Sequence, residues 1–94
     1  MYFRVAIFGF DESRFDEGLA KMDATIRDQL KGIAGLESVH ECQIGDGQAM
    51  IISRYDSEAS AVAAQPTIQE ILGEMAEFVT SPPEVKVGNV IWTM

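Results

Sequence analysis

The sequence predicts an α+β domain in which four antiparallel strands carry two helices, in the order β-α-β-β-α-β. Three observations lead there. Residues 2–10, YFRVAIFGF, set Phe3, Val5 and Ile7 against Tyr2, Arg4, Ala6 and Phe8 with a period of two, the mark of a strand. Apolar side chains then recur at Phe15, Leu19, Met22, Ile26, Leu30 and Ile33, spaced 4, 3, 4, 4 and 3, which draws one stripe along a helix. Two further strand-like runs meet at Asp46-Gly47, a dipeptide suited to a two-residue hairpin.

Taken in order, the first strand stops at DES (11–13), where Ser13 offers an N-cap and Asp16 the short form of a capping box. The outer face of the first helix carries Glu17–Lys21 and Asp23–Arg27 at i,i+4, each acid N-terminal to its base, and Gly32 and Gly35 bracket its end. Strands two and three are expected over Leu36–Ile44 and Gln48–Tyr55, with Asp46 and Gly47 both at positive φ. Asp56 or Ser57 caps a second helix that begins near Glu58. Pro66 lacks an N–H and clashes with the preceding turn, so a break is expected at Gln65–Pro66. The main piece then carries Ile68, Ile71, Leu72, Met75 and Phe78. TSPPE (80–84) ends it, and VGNVIWTM (87–94) is expected as the closing strand. This split βαβ order is ferredoxin-like.

Ninety-four residues, 47% of them apolar and 23% charged, suit one globular domain spanning 1–94. Seven basic against fifteen acidic residues give a net charge of −8, a field that repels a nucleic-acid backbone. No apolar run approaches the ~20 residues needed to cross a bilayer, and MYFRVAIFGFDES has no basic leader. A single cysteine cannot form an internal disulfide, which fits a reducing cytoplasm. The expected location is therefore cytoplasmic, with neither nucleic acid nor membrane as partner.

Two helices cover one face of a four-stranded sheet, so the far face of a monomer should be polar. It is not. Taking Phe3, Val5 and Ile7 as helix-facing leaves Tyr2, Ala6, Phe8 and the charged Arg4 on the other side, with Val90, Trp92 and Met94 beside them. Such a patch exceeds what monomers usually expose. A second copy packed face to face about a two-fold axis covers it, so a homodimer is expected, with Phe8 and Trp92 near the interface.

The segment IAGLESVHECQIGDGQAMIISRYDSEASAVAA, with its Gly-Leu opening strand two and its aromatic-Asp-Ser-Glu opening the second helix, resembles the small antibiotic-biosynthesis-monooxygenase-like group of the dimeric α+β barrel proteins. The PPEVKVGNVIW tail is similar too. The resemblance implies a ferredoxin-like sheet pairing into a dimeric α+β barrel. It implies either a cofactor-independent monooxygenase-like enzyme acting on a small planar organic substrate, or a non-catalytic ligand-binding or stress-associated dimer. The haem-degrading relatives use an Asn late in the first strand and a Trp and a His with the second helix. Here that strand ends FGFD, the only Asn is Asn89, and residues 58–79 hold neither Trp nor His. No haem or other cofactor is therefore expected.

His40 and Cys42, the only residues of their kinds, stand at i and i+2 on strand two, on the face expected to hold Leu36 and Ile44. As a nucleophile pair they would need thiolate and imidazole within hydrogen-bond reach, which same-face positions about 6.5–7 Å apart at Cα allow but do not arrange. As metal ligands they fall short of three or four, so no metal is expected. Cys42 reads as a small buried hydrophobe. His40 remains a weak candidate acid/base, because imidazole titrates near neutral pH. Arg54 falls opposite Val39 and diagonal to Glu37 and Glu41, the arrangement of a cross-strand ion-pair cluster. Arg4, mid-strand among apolar neighbours, requires either a carboxylate across the dimer or the anionic group of a ligand. The expected ligand site is thus Arg4, Trp92 and Phe8, with His40 a weaker member. Trp92 would stack on a planar ring beside the guanidinium.

Overall fold

The alternating run at the N-terminus forms β1 (Tyr2–Phe10). In this computed structural model, which describes all 94 residues, it lies inside a four-stranded antiparallel sheet ordered β2-β3-β1-β4. Asp11, rather than Ser13, caps the next turn: its carboxylate accepts from the Ser13 backbone N–H at 3.0 Å and from Ser13 Oγ at 2.6 Å. That 3-10 turn leads into α1 (Phe15–Lys21), which runs on through a π-helical turn at Met22–Ile26 into α2 (Arg27–Lys31). β2 (Leu36–Gly45) and β3 (Gln48–Tyr55) form the hairpin. Its turn has positive φ only at Gly47 (66°), and Asp46 does not share it, because a bulge between Gln43 and Gly45 takes up the geometry instead.

α3 (Glu58–Gly73) starts at Ser57, whose Oγ accepts from the Ser60 N–H at 3.2 Å. The expected break at Pro66 is absent, and the helix runs through it. Val62 and Pro66 are both exposed, so the carbonyl that loses its donor lies on the solvent side, where water replaces the bond. The closing strand also departs from expectation. β4 is Val79–Asn89, so TSPPE is strand rather than helix end, and Val90–Met94 runs on beyond it. Two prolines fit there because β4 is an edge strand and a register shift between Ile7 and Gly9 spans them.

The face assignment inverts. Tyr2, Arg4, Ala6 and Phe8 look toward the helices, and Phe3, Val5 and Ile7 look away: Tyr2 packs in a core with Tyr55, Ala64 and Ile68, and Leu30, Ile33 and Leu36 press against it. Both halves of the alternation are apolar, so a period of two separates the faces without telling which is covered. Size tells. Ala6, Ala49 and Ser53 are nearly fully buried beneath the helices, where bulkier neighbours would hold the layers apart.

The outward face remains largely apolar. Register brings Phe3, Val5 and Ile7 beside Met50 and Ile52, all half-buried, with Ser38, His40 and Cys42 on the outer strand. His40 therefore lies on the face opposite Leu36, not with it. A bulge at Glu37, where Leu36 pairs with Tyr55 and Ser38 with Arg54, moves every later side chain of β2 to the other side. The same bulge sets Arg54 opposite Ser38 instead of Val39. Glu37 Oε1 lies 3.2 Å from Arg54 Nε, misaligned for a hydrogen bond, so the pair rests on charge attraction alone.

Candidate ligand-binding cleft

Small side chains on the sheet and a helical arm held off it leave a cleft of about 470 Å³ between them. Its floor is built in rows by the strand register. Arg4, Ser53 and Val39 form one row, Ala6, Ile51 and Glu41 the next, and Phe8, Ala49 and Gln43 the third. Phe15, Leu19, Met22 and Ile26 from the first helical arm and Ile68 and Ile71 from α3 form the roof. Met22 and Ile26 open and close the π-helical turn, a helix defect that often marks functional sites. Eighteen of the 26 lining residues are hydrophobic, so a ligand's orientation falls to the few polar groups.

Those groups differ in how free they are. Asp11 is occupied by Ser13, whose hydroxyl hydrogen bond holds its carboxyl below the usual range. Arg14 pairs with Glu17 at 2.6 Å and Glu77 at 3.5 Å, and its guanidinium stacks 4.4 Å over the Phe78 ring. Arg4 and Glu41 take part in none of the chain's ion pairs. Glu41 is solvent-exposed as a whole, and partial desolvation of its carboxyl against the apolar lining raises it above its ordinary pKa. Burial likewise raises the Tyr55 phenol, and the positive charge of Arg4 partly offsets it. Arg4 thus presents its charge between the tyrosine end of the core and the open cleft.

Of the residues expected in one site, the cleft brings together Arg4 and Phe8 and leaves two out. His40 is exposed on the outward face. Trp92 follows the end of β4, is 77% exposed, and borders a shallow hollow with Phe3 and Val5 on that same outward side. Phe8, expected at a dimer interface, instead faces the helices. Glu41 was expected only beside Arg54 in an ion-pair cluster, and neither Phe10 nor Phe15 was expected in a site. The parity of Val39, Glu41 and Gln43 groups Glu41 with the cleft only once the covered face is known. No three His, Cys, Asp or Glu side chains gather to hold a metal ion.

The whole architecture is shared with solved structures. A monooxygenase of Streptomyces coelicolor in complex with nanaomycin D superposes with a TM-score of 0.78 at 14% identity, over 99% of this chain and 89% of that one. The chain has the ferredoxin-like fold of the antibiotic-biosynthesis-monooxygenase-like proteins. A dimeric ferredoxin-like protein from an uncultured marine organism matches with a TM-score of 0.74 at 16% identity, over 99% of this chain and 90% of that chain. A candidate antibiotic biosynthesis monooxygenase of Chloroflexus aurantiacus gives 0.71 at 14% identity, over 99% and 95%. No protein-family model matches this chain, and no curated protein resembles it in sequence. Fold, not sequence, carries the likeness to these ferredoxin-like proteins.

Proposed function

We propose that this protein is a homodimeric, monooxygenase-like enzyme that takes a small planar organic substrate into the cleft between sheet and helices. The observation that carries the reading is Arg4, a permanent cation without an ion-pair partner on the floor of an apolar cleft. An apolar ring fills the space beneath Phe15 and Met22, and an anionic oxygen meets the guanidinium in a charge-assisted hydrogen bond. The complex of the Streptomyces coelicolor monooxygenase with nanaomycin D supports a ligand-binding use of this fold.

The chemistry that such a site can promote is oxidation of a phenol by dioxygen. The ring C–H and the O–H give both hydrogens to one oxygen atom, which leaves as water, and the other oxygen becomes the new quinone carbonyl. The protein's part is to hold the substrate's anionic oxygen on Arg4 and exclude water from the reacting ring. The test is a titration with hydroxynaphthalenes followed by fluorescence, paired with dioxygen uptake. Arg4→Met should weaken binding at least about ten-fold, the scale of one hydrogen bond to a charged group, while the circular dichroism stays unchanged. Binding without dioxygen uptake makes the protein a non-catalytic ligand-binding dimer. Failure of every planar arene to bind ends both readings.

A further inference from the structure

We propose that Glu41 is the second recognition group of the cleft and the acceptor of the substrate's hydroxyl proton, the role for which sequence suggested His40. This rests on the reading of the cleft as a substrate site. The two residues are neighbours in the chain and opposites in space. The bulge at Glu37 sends His40 to the outward face, and Glu41 lands in the row of Ala6 and Ile51 on the cleft floor. Arg4 stands one row on and two strands across, at about 12 Å between Cα atoms from ordinary sheet spacings. The cation and the anion therefore face one apolar floor from opposite sides without neutralising each other.

That separation selects a ligand class. A planar aromatic compound with an acidic oxygen at one end and a hydroxyl at the other meets both groups while lying on the floor between them. In the transfer step the substrate O–H breaks, its electron pair stays on the substrate oxygen, and the proton forms an O–H bond on the Glu41 carboxylate. No oxidant is consumed in that step. Desolvation pushes Glu41 up toward the working pH, which improves a general base.

The charges sharing Glu41's surroundings are few. Arg4 comes from β1, and Asp11 and Arg14 from the head of the first helical arm. Asp23, Arg27 and Lys31 further along that arm, and Glu37 on β2, border the adjoining hollow that Glu41 also lines. β3, α3 and β4 present no ion to the cleft.

The probe is 6-hydroxy-2-naphthoate, compared with 2-naphthoate, which lacks the hydroxyl. In the wild-type protein the hydroxylated compound should bind about ten-fold more tightly than 2-naphthoate once Glu41 is ionised, the scale of a hydrogen bond to a charged acceptor. The preference should fade as pH falls through the Glu41 carboxyl, and Glu41→Gln should remove its pH dependence while 2-naphthoate binds as before. His40→Gln should change neither. A preference that keeps the wild-type pH dependence in Glu41→Gln, or one abolished by His40→Gln, overturns the proposal and leaves the cleft reading standing. Failure of both naphthoates to bind the wild type, with hydroxynaphthalenes still binding, overturns the assigned ligand class. Failure of every arene overturns the cleft reading itself.

Discussion

A carboxyl group placed against an apolar wall carries a cost in stability, and Glu41 shows its sign. Its folded-state pKa is raised by burial, so the folded protein holds that proton more tightly than the unfolded chain does. Below about pH 4, where unfolded carboxyls are protonated, the group imposes no penalty. As pH rises through the raised value, the folded state must ionise a partly desolvated acid, and stability falls. Glu41→Gln keeps the size and removes the titration. It should therefore be more stable than wild type at pH 7 and indistinguishable from it at pH 4, read as urea midpoints at one protein concentration. Equal midpoints at pH 7 would mean that the carboxyl is fully hydrated. Arg4 differs in kind, because it cannot shed its charge, and it stands half-buried on the cleft floor.

The elements show the same balance between local rule and tertiary context. Pro66 interrupts the hydrogen-bond ladder of α3, yet the helix continues because Ala64, Ile68 and Ile71 are buried against the sheet and the faulty carbonyl faces water. The local cost remains even though packing outweighs it. Pro66→Ala should raise stability by about 1–3 kcal/mol, seen as a higher urea midpoint with unchanged helix content, and a fall would show that the ring itself packs. Element order, both hairpin strands and the stripe from Phe15 to Leu30 were legible because periodicity survives whichever way an element is turned. The bulge at Glu37 was not legible, since no Gly or Pro marks it, and it alone decides whether His40 or Glu41 reaches the cleft. β4 was misplaced because two prolines read as a helix stop, whereas an edge strand tolerates them where its register shifts. Trp92 was drawn into the site by that misplacement.

At the scale of the whole molecule, the inverted faces leave the case for a second copy intact and change which residues make it. Phe3, Val5, Ile7, Met50 and Ile52 form the contiguous apolar centre of the outward face, which no helix covers. Charge is confined to its margins. The Glu84–Lys86 pair at 3.7 Å borders one side and the Arg54–Glu37 pair the other. Two such faces meeting about a two-fold axis bury an apolar centre inside a polar rim, as stable interfaces do. Light scattering at micromolar concentration should then give about twice the chain mass of 10.3 kDa. Ile52→Lys places a cation in the middle of the face, between Val5 and His40 by register, where pairing would bury it twice. A lone subunit can still hydrate that lysine, so the chain should fold and scatter as a monomer. The cleft opens on the other side of the sheet, so the monomeric variant should keep its affinity for 2-naphthoate within about three-fold, well under the 1.4 kcal/mol of a ten-fold change. Loss of that affinity with the fold intact would mean that the partner subunit completes the cleft. A wild-type protein that scatters as a monomer would show instead that the outward face is covered by something other than its own copy.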